Sequence, residues 1–105
     1  MRHSAKAPRN GRHRELFAGG GISAEGSYKN GKRHGPWKYY YRSGGVKASG
    51  KYLAGDLHGR WQWWRENGDR LQIGTFRNGK QSGVWTRYDK AGRPKQSKIH
   101  KPEKK

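Results

Sequence analysis

The chain has 105 residues, with 25 Lys and Arg against 7 Asp and Glu, and a formal charge of +18. Only 29% of the residues are apolar, a balance that ordinarily leaves a chain without a packed core. No run approaches the ~18 apolar residues of a membrane-spanning helix, and the absence of Cys excludes disulfides and thiolate sites.

Two features argue for order all the same. Aromatic residues make up 12% of the chain, five of them Trp, and 12 of the 17 Gly fall at regular positions. No apolar leader of the secretory kind opens the chain. With the lack of Cys, this makes a cytoplasmic protein the expectation.

In chain order, residues 1–19 read as a basic, flexible N-terminal tail. The stretch Leu16–Ala24 (LFAGGGISA) then resembles half of a unit repeated three times from Gly26 onward. Gly20 falls one period before Gly44, and Ile22 one period before Val46. An N-terminal capping strand is expected there, because an array of repeats leaves an apolar face open at each end.

The three full segments align without a gap at a period of 24, starting at Gly26, Gly50 and Gly74. Gly recurs in four columns: Gly26/Gly50/Gly74, Gly31/Gly55/Gly79, Gly35/Gly59/Gly83 and Gly44/Gly68/Gly92. Aromatics recur in three: Tyr28/Tyr52/Phe76, Trp37/Trp61/Trp85 and Tyr40/Trp64/Tyr88.

Helix is a poor reading of this pattern, since each interior Gly costs a helix about 1 kcal/mol relative to Ala. Strand is a good one. Asn30-Gly31 and Asn78-Gly79 are hairpin-turn signals, and Asn67-Gly68 and Lys90-Ala91-Gly92 mark a second turn in the unit. Each unit reads as strand, loop, strand, turn. The loops cover Gly31–Gly35, Gly55–Gly59 and Gly79–Gly83. The aromatic strands cover about Pro36–Arg42, Arg60–Glu66 and Val84–Asp89, and return strands cover Val46–Leu53 and Arg70–Arg77. The expected fold is all-β: an elongated single antiparallel meander over residues 20–92, with a basic, disordered C-terminal tail over 93–105.

Trp37 and Tyr40 lie three residues apart, as do Trp61/Trp64 and Trp85/Tyr88. On a regular strand such residues face opposite sides. Either each aromatic strand is bulged, or both faces of the sheet carry aromatics. The Trp37/Trp61/Trp85 column is expected as the stacked core, with each buried Trp contributing roughly 2–3 kcal/mol. The Tyr40/Trp64/Tyr88 column is open to a structural or a partner-facing role.

The spaced pattern G-x-[YF]-x-x-G-x-x-x-G-x-W, with a further Gly at Gly44, Gly68 and Gly92, resembles the MORN repeat in its shorter bacterial variant form. Tyr28, Gly31, His34, Gly35 and Trp37 carry the resemblance in the first copy. Tyr52, Gly55, His58, Gly59 and Trp61 carry it in the second. Phe76, Gly79, Gly83 and Trp85 carry it in the third, where Ser82 stands in place of His. The resemblance implies a β-hairpin array used as a binding surface. Some bacterial members of the variant class are labelled antitoxins of the YwqK type, and other MORN proteins act as scaffolds or are associated with anionic lipid.

Chemistry is sparse. No acid recurs in all three copies, and no nucleophile elbow or phosphate-binding loop of the Walker type occurs. His34 and His58 precede Gly at equivalent positions and read as turn-stabilising donors rather than metal ligands. No enzyme activity, cofactor or metal is expected.

The repeats are themselves basic. Lys29 and Arg77 share a column, as do Lys32 and Lys80, with Arg33 beside them. Arg42 and Lys90 share another, next to the second turn. Together with Tyr40, Trp64 and Tyr88 these are the candidate binding residues. Cations interleaved with exposed aromatics suit single-stranded nucleic acid, whereas Lys and Arg on an edge-rich sheet also serve to block edge-to-edge pairing. Trp37, Trp61, Trp85 and the glycines Gly31, Gly35, Gly55, Gly59, Gly79 and Gly83 are assigned to structure. The expected partner is an acidic protein or a nucleic acid, with an anionic membrane or a toxin as alternatives.

Overall fold

The computed structural model describes residues 8–100. Eight strands succeed one another across a single antiparallel sheet in sequence order. They are β1 (Gly11–Leu16), β2 (Ile22–Lys29), β3 (Lys32–Tyr40), β4 (Val46–Leu53), β5 (Asp56–Trp64), β6 (Arg70–Arg77), β7 (Lys80–Tyr88) and β8 (Pro94–His100). The molecule measures 47 × 39 × 18 Å, so its thinnest direction holds one sheet and its side chains.

Two kinds of turn alternate. Asn30-Gly31, Ala54-Gly55 and Asn78-Gly79 each place two residues at positive φ, at 53° and 80° in the first. This is the two-residue hairpin geometry whose twist matches that of the flanking strands. At the opposite end of the strands, Phe17–Gly21, Tyr41–Gly45, Arg65–Asp69 and Asp89–Arg93 close longer turns. In the second of these, Tyr41 N–H donates to Gly45 O and Gly44 N–H to Tyr41 O. The short turns also stack on one another. Gly31, Gly55 and Gly79 donate their N–H to the carbonyls of Arg9, Arg33 and Leu57, each at 3.0 Å or less.

The segments expected as loops at Gly31–Gly35, Gly55–Gly59 and Gly79–Gly83 are therefore strand after their first glycine. The tight turn ends at Gly31, and Lys32 already pairs with Lys29. The sheet also extends past both expected limits. β1 lies within the stretch expected as a flexible N-terminal tail, and β8 within the stretch expected as a disordered C-terminal one. The period explains the first: Gly20 closes a turn like Gly44, so β1 and β2 form a hairpin of the same kind rather than a lone capping strand. Residues 1–7 and 101–105 of those tails lie outside the described residues.

The core is a row of rings on one face. Trp37, Trp61 and Trp85 are almost wholly buried, although no second layer covers them among the described residues. Each indole lies instead on the backbone of a glycine one strand away. A Cβ placed on Gly26, Gly50 or Gly74 would meet the ring of Trp37, Trp61 or Trp85 at 2.1–2.2 Å. To make room, the register slips beside each of these glycines. Between Ser27↔His34 and Glu25↔Lys38, the three residues Gly35–Trp37 stand opposite Gly26 alone. Gly35, Gly59 and Gly83, at φ of 70–77°, open these bulges. The indole N–H then donates to a carbonyl beside the glycine: Trp37 Nε1 to Ser27 O at 2.9 Å, and Trp61 Nε1 to Lys51 O at 3.0 Å.

Tyr28, Tyr52 and Phe76 stand edge-on between these indoles. The ring planes of Tyr28–Trp37, Trp37–Tyr52, Tyr52–Trp61, Trp61–Phe76 and Phe76–Trp85 meet at 81–89°, with centroids 5.1–6.5 Å apart. Edge-to-face contacts of this kind add about 0.5–1.5 kcal/mol each beyond burial. Tyr39 and Trp63 lie along the same row and tie Trp37 to Trp61 and Trp61 to Trp85.

Gly50→Ala forces a methyl into Trp61 and is expected to cost about 3 kcal/mol, the upper range for overpacking. Gly45 has ordinary φ and open space around it, so Gly45→Ala is expected to be neutral or slightly stabilising. Thermal denaturation of the two variants checks the contrast. Ala54 holds the left-handed position (φ 50°) that Asn30 and Asn78 hold in the other short turns. Because that conformation disfavours Ala far more than Asn, Ala54→Asn is expected to gain about 1 kcal/mol, read as a higher urea midpoint.

Candidate functional site

Strand alternation from the buried row divides the side chains into two sets. The aromatic face carries Tyr28, Trp37, Tyr39, Tyr52, Trp61, Trp63, Phe76 and Trp85. The other face carries Arg12, Arg14, Lys29, Lys32, Lys38, Lys47, Lys51, Arg60, Arg70, Arg77 and Lys80, all of them exposed. Only Glu25 and Asp56 among the strand residues bring acid to this second face. Of these cations, Arg14 pairs with Glu25 at 3.4 Å, Lys47 lies 5.8 Å from the Tyr41 ring centroid, and Arg70 lies over the Tyr88 ring at 5.6 Å.

Tyr40 and Trp37 thus face opposite ways, and both readings of their spacing hold at once. Each aromatic strand is bulged, but the bulge ends at the Trp, and the next shift, at Tyr40, puts its extra residue on the neighbouring strand, so alternation from Trp37 to Tyr40 stays intact. Tyr40, Trp64 and Tyr88 line the end of the basic face nearest the longer turns, with Leu16 in the same column one period earlier. All are half-buried except Leu16, which is exposed. The Tyr40 hydroxyl donates to Glu25. That bond, helped by Arg14, holds the Glu25 carboxyl below the usual carboxylate range and pushes the Tyr40 hydroxyl up.

Of the candidate binding residues, Lys29, Lys32, Arg77 and Lys80 share the basic face with Tyr40, Trp64 and Tyr88. They stand at the end of the short turns, about eight residues of strand away from the aromatics, or roughly 26 Å. Arg42 and Lys90 are in the longer turns, where Arg42 covers the Phe17 ring at 4.8 Å and donates to Ala18 O. Arg33 is the departure. Cross-strand pairing with Tyr28 puts it on the aromatic face, 4.3 Å over the Trp37 ring and paired with Glu15 at 3.3 Å. It closes one end of the core row and does not join the other cations.

Sequence columns alone pass over the middle of the basic face. Lys38, Lys51 and Arg60 have no repeat-equivalent cations, so no column marks them; strand alternation counted from Trp37, Gly50 and Trp61 finds them. The same count finds Tyr39 and Trp63, whose column breaks at Arg87. His34 stabilises a turn, but as an acceptor rather than the expected donor: its Nδ1 takes the Ala54 N–H at 3.3 Å. Asn10 Oδ1 does the same for Asn30 N–H one unit earlier. Among the described residues, no three His, Cys, Asp or Glu gather in a way that holds a metal ion.

The family model described as the MORN repeat variant matches residues 33–54 and again residues 57–78. These two stretches are MORN repeats. Each matched stretch is one strand pair with its longer turn, β3–β4 and then β5–β6. The two MORN matches start 24 residues apart, at the period of the buried Trp row. No curated protein and no solved structure matches the chain.

The aromatic row has its own titration. Tyr39 and Tyr52 hydroxyls meet at 2.6 Å, and burial, reinforced by that bond, raises the Tyr39 hydroxyl well above the ordinary tyrosine value of 10.0. A pKa raised on folding contributes stability that is complete below the unfolded value and is lost as pH climbs through the folded one. The stability advantage of the wild-type chain over Tyr39→Phe is therefore expected to shrink between about pH 8 and about pH 11. Urea midpoints of both proteins at the two ends measure it.

Proposed function

We propose that this MORN array is a non-catalytic docking module that takes an acidic partner on its basic face, nucleic acid in the first place. The observation that carries this is the segregation of charge from packing. The buried rings occupy one face, and among the described strand residues eleven exposed cations against two acids occupy the other. Long-range attraction of a polyanion to such a surface follows from its field. Trp64 and Tyr88 on the same face supply rings on which bases stack, worth about 1–3 kcal/mol each.

A second reading has its own support. Among the described residues, Leu16, Leu53 and Val84 are the exposed large apolar side chains, and alternation puts all three on the basic face. Cations mixed with protruding aliphatic groups also suit the surface of an anionic membrane. The antitoxin role rests on the family resemblance and would use the same face against an acidic protein.

Titration of the full chain with single-stranded RNA, duplex DNA and anionic vesicles separates these readings. Lys51→Glu with Arg60→Glu reverses two charges on the basic face; Arg87→Glu with Lys95→Glu reverses two exposed charges on the other. Nucleic-acid binding is expected to fall with salt at a log–log slope of about −3 or steeper, to quench Trp64 fluorescence, and to suffer from the first pair of changes far more than from the second. Equal losses from the two pairs would reduce the charge to a general effect and sink the proposal. Binding confined to vesicles would establish the second reading instead.

A further inference from the structure

The first short turn brings together a set of donors that the other two lack. Lys29 and Lys32 pair directly across the β2–β3 hairpin and point to the same face. With Asn30, His34 and Ala54 they line an open hollow beside the turn. No carboxylate lines it. Like charges placed directly opposite on a hairpin are destabilising, so the arrangement is one that an anion between the two ammonium groups relieves.

His34 completes the set. Its Nδ1 accepts the Ala54 N–H, so the neutral ring carries its proton on Nε2, at the ring's other edge. The hollow is therefore lined by two lysines, each carrying an ammonium group, and by a histidine whose remaining ring N–H is on Nε2, with Asn30 beside them. Two positive charges and neutral donors match a doubly charged phosphate group better than a singly charged phosphodiester or a carboxylate.

The repeat supplies an internal comparison. At the equivalent positions the second hairpin has Leu53, Asp56 and His58, which removes both cations and adds an acid. The third has Arg77, Lys80 and Ser82, which keeps two cations but has no imidazole. General polyanion attraction treats the first and third hairpins alike; a built phosphate site does not.

We infer that the Lys29–Lys32–His34 hollow is a binding site for a phosphate monoester group. The inference rests on the proposal that the basic face takes anions and goes beyond it by naming one place and one chemical group. Two sources supply that group: a free phosphate compound, or the terminal phosphate of a nucleic-acid strand.

The test uses the full chain and two variants with the same charge loss, Lys29→Ala with Lys32→Ala and Arg77→Ala with Lys80→Ala. Inorganic phosphate is titrated while backbone amide signals are followed by NMR at constant ionic strength. The expected result is a saturable shift centred on Asn30, Gly31, His34 and Ala54. Affinity should fall about tenfold or more in the first variant, as for loss of charged hydrogen bonds, and hold in the second. A single-stranded oligonucleotide with and without a 5′-phosphate is then compared. Tighter binding of the phosphorylated strand assigns the group to a strand end; equal binding, with inorganic phosphate still saturating, assigns it to a free compound. A non-saturating shift, or equal losses in the two variants, would overturn the inference. In that event the response to the Lys51 and Arg60 changes still decides the fate of the broader proposal.

Discussion

A tryptophan laid on a glycine is what this protein depends on. A single sheet has no second layer to bury its apolar side chains against, and such a sheet ordinarily leaves its rings wet. Here each indole is turned flat onto the backbone of the neighbouring strand, where only hydrogen occupies the Cβ position. The bulge opened by Gly35, Gly59 or Gly83 gives the ring its approach, and the carbonyl beside Gly26, Gly50 or Gly74 takes the indole N–H. The polar atom of the largest side chain is satisfied by the same step that buries its apolar area. Tyr28, Tyr52 and Phe76 then close the gaps edge-on, and the row becomes continuous across strands.

This arrangement frees the other face. In a sandwich, both sheets give one face to the common core, and a charged residue there is costly. In this MORN array the core is complete on one side, so Lys38, Lys51, Arg60 and their neighbours stand in water with no packing duty. Their mutual repulsion is screened by salt and spread over a broad surface. The same freedom explains why the cations do not repeat as the rings do. A column that seats an indole has one acceptable residue, whereas a column that faces solvent accepts many. The structural positions are consequently alike from unit to unit, and the positions available to a partner differ.

Much of the fold is legible in the sequence because the constraint is strict. Gly and Trp columns at a period of 24 point to the hairpins, the single meander and the buried Trp37/Trp61/Trp85 row. The return strands Val46–Leu53 and Arg70–Arg77 match the structure end to end. The misplaced segments have a common cause. A glycine column looks like a loop, and Gly35, Gly59 and Gly83 carry that look, although in a bulge a left-handed glycine belongs to the strand. With the loop misplaced, β3, β5 and β7 start four residues late, and Lys32 falls in a loop rather than across from Lys29. Arg33 groups with its neighbours in sequence, but one step along a strand turns a side chain to the opposite face. β1 escapes the pattern because its hairpin keeps the turn glycine Gly20 while having Leu16 in the aromatic column and no Trp.

The departures between units then carry more functional information than the consensus. Leu53 and Asp56 interrupt the cationic pairs at the short turns, so the basic face is not a uniform stripe but has a gap near its middle on that side. Arg87 ends the Tyr39/Trp63 column and puts a charge where the first two units have a ring, so the core row does not continue in kind beyond Trp85. Ser82 removes the imidazole that His34 supplies. A partner that read only charge would meet nearly equivalent first and third hairpins; a partner that read donors in a fixed geometry would meet three different ones. In a fold whose core positions admit so little change, specificity has to be written in these unrepeated residues, and the first hairpin, where two lysines and a tautomer-fixed histidine converge, is where the writing is densest.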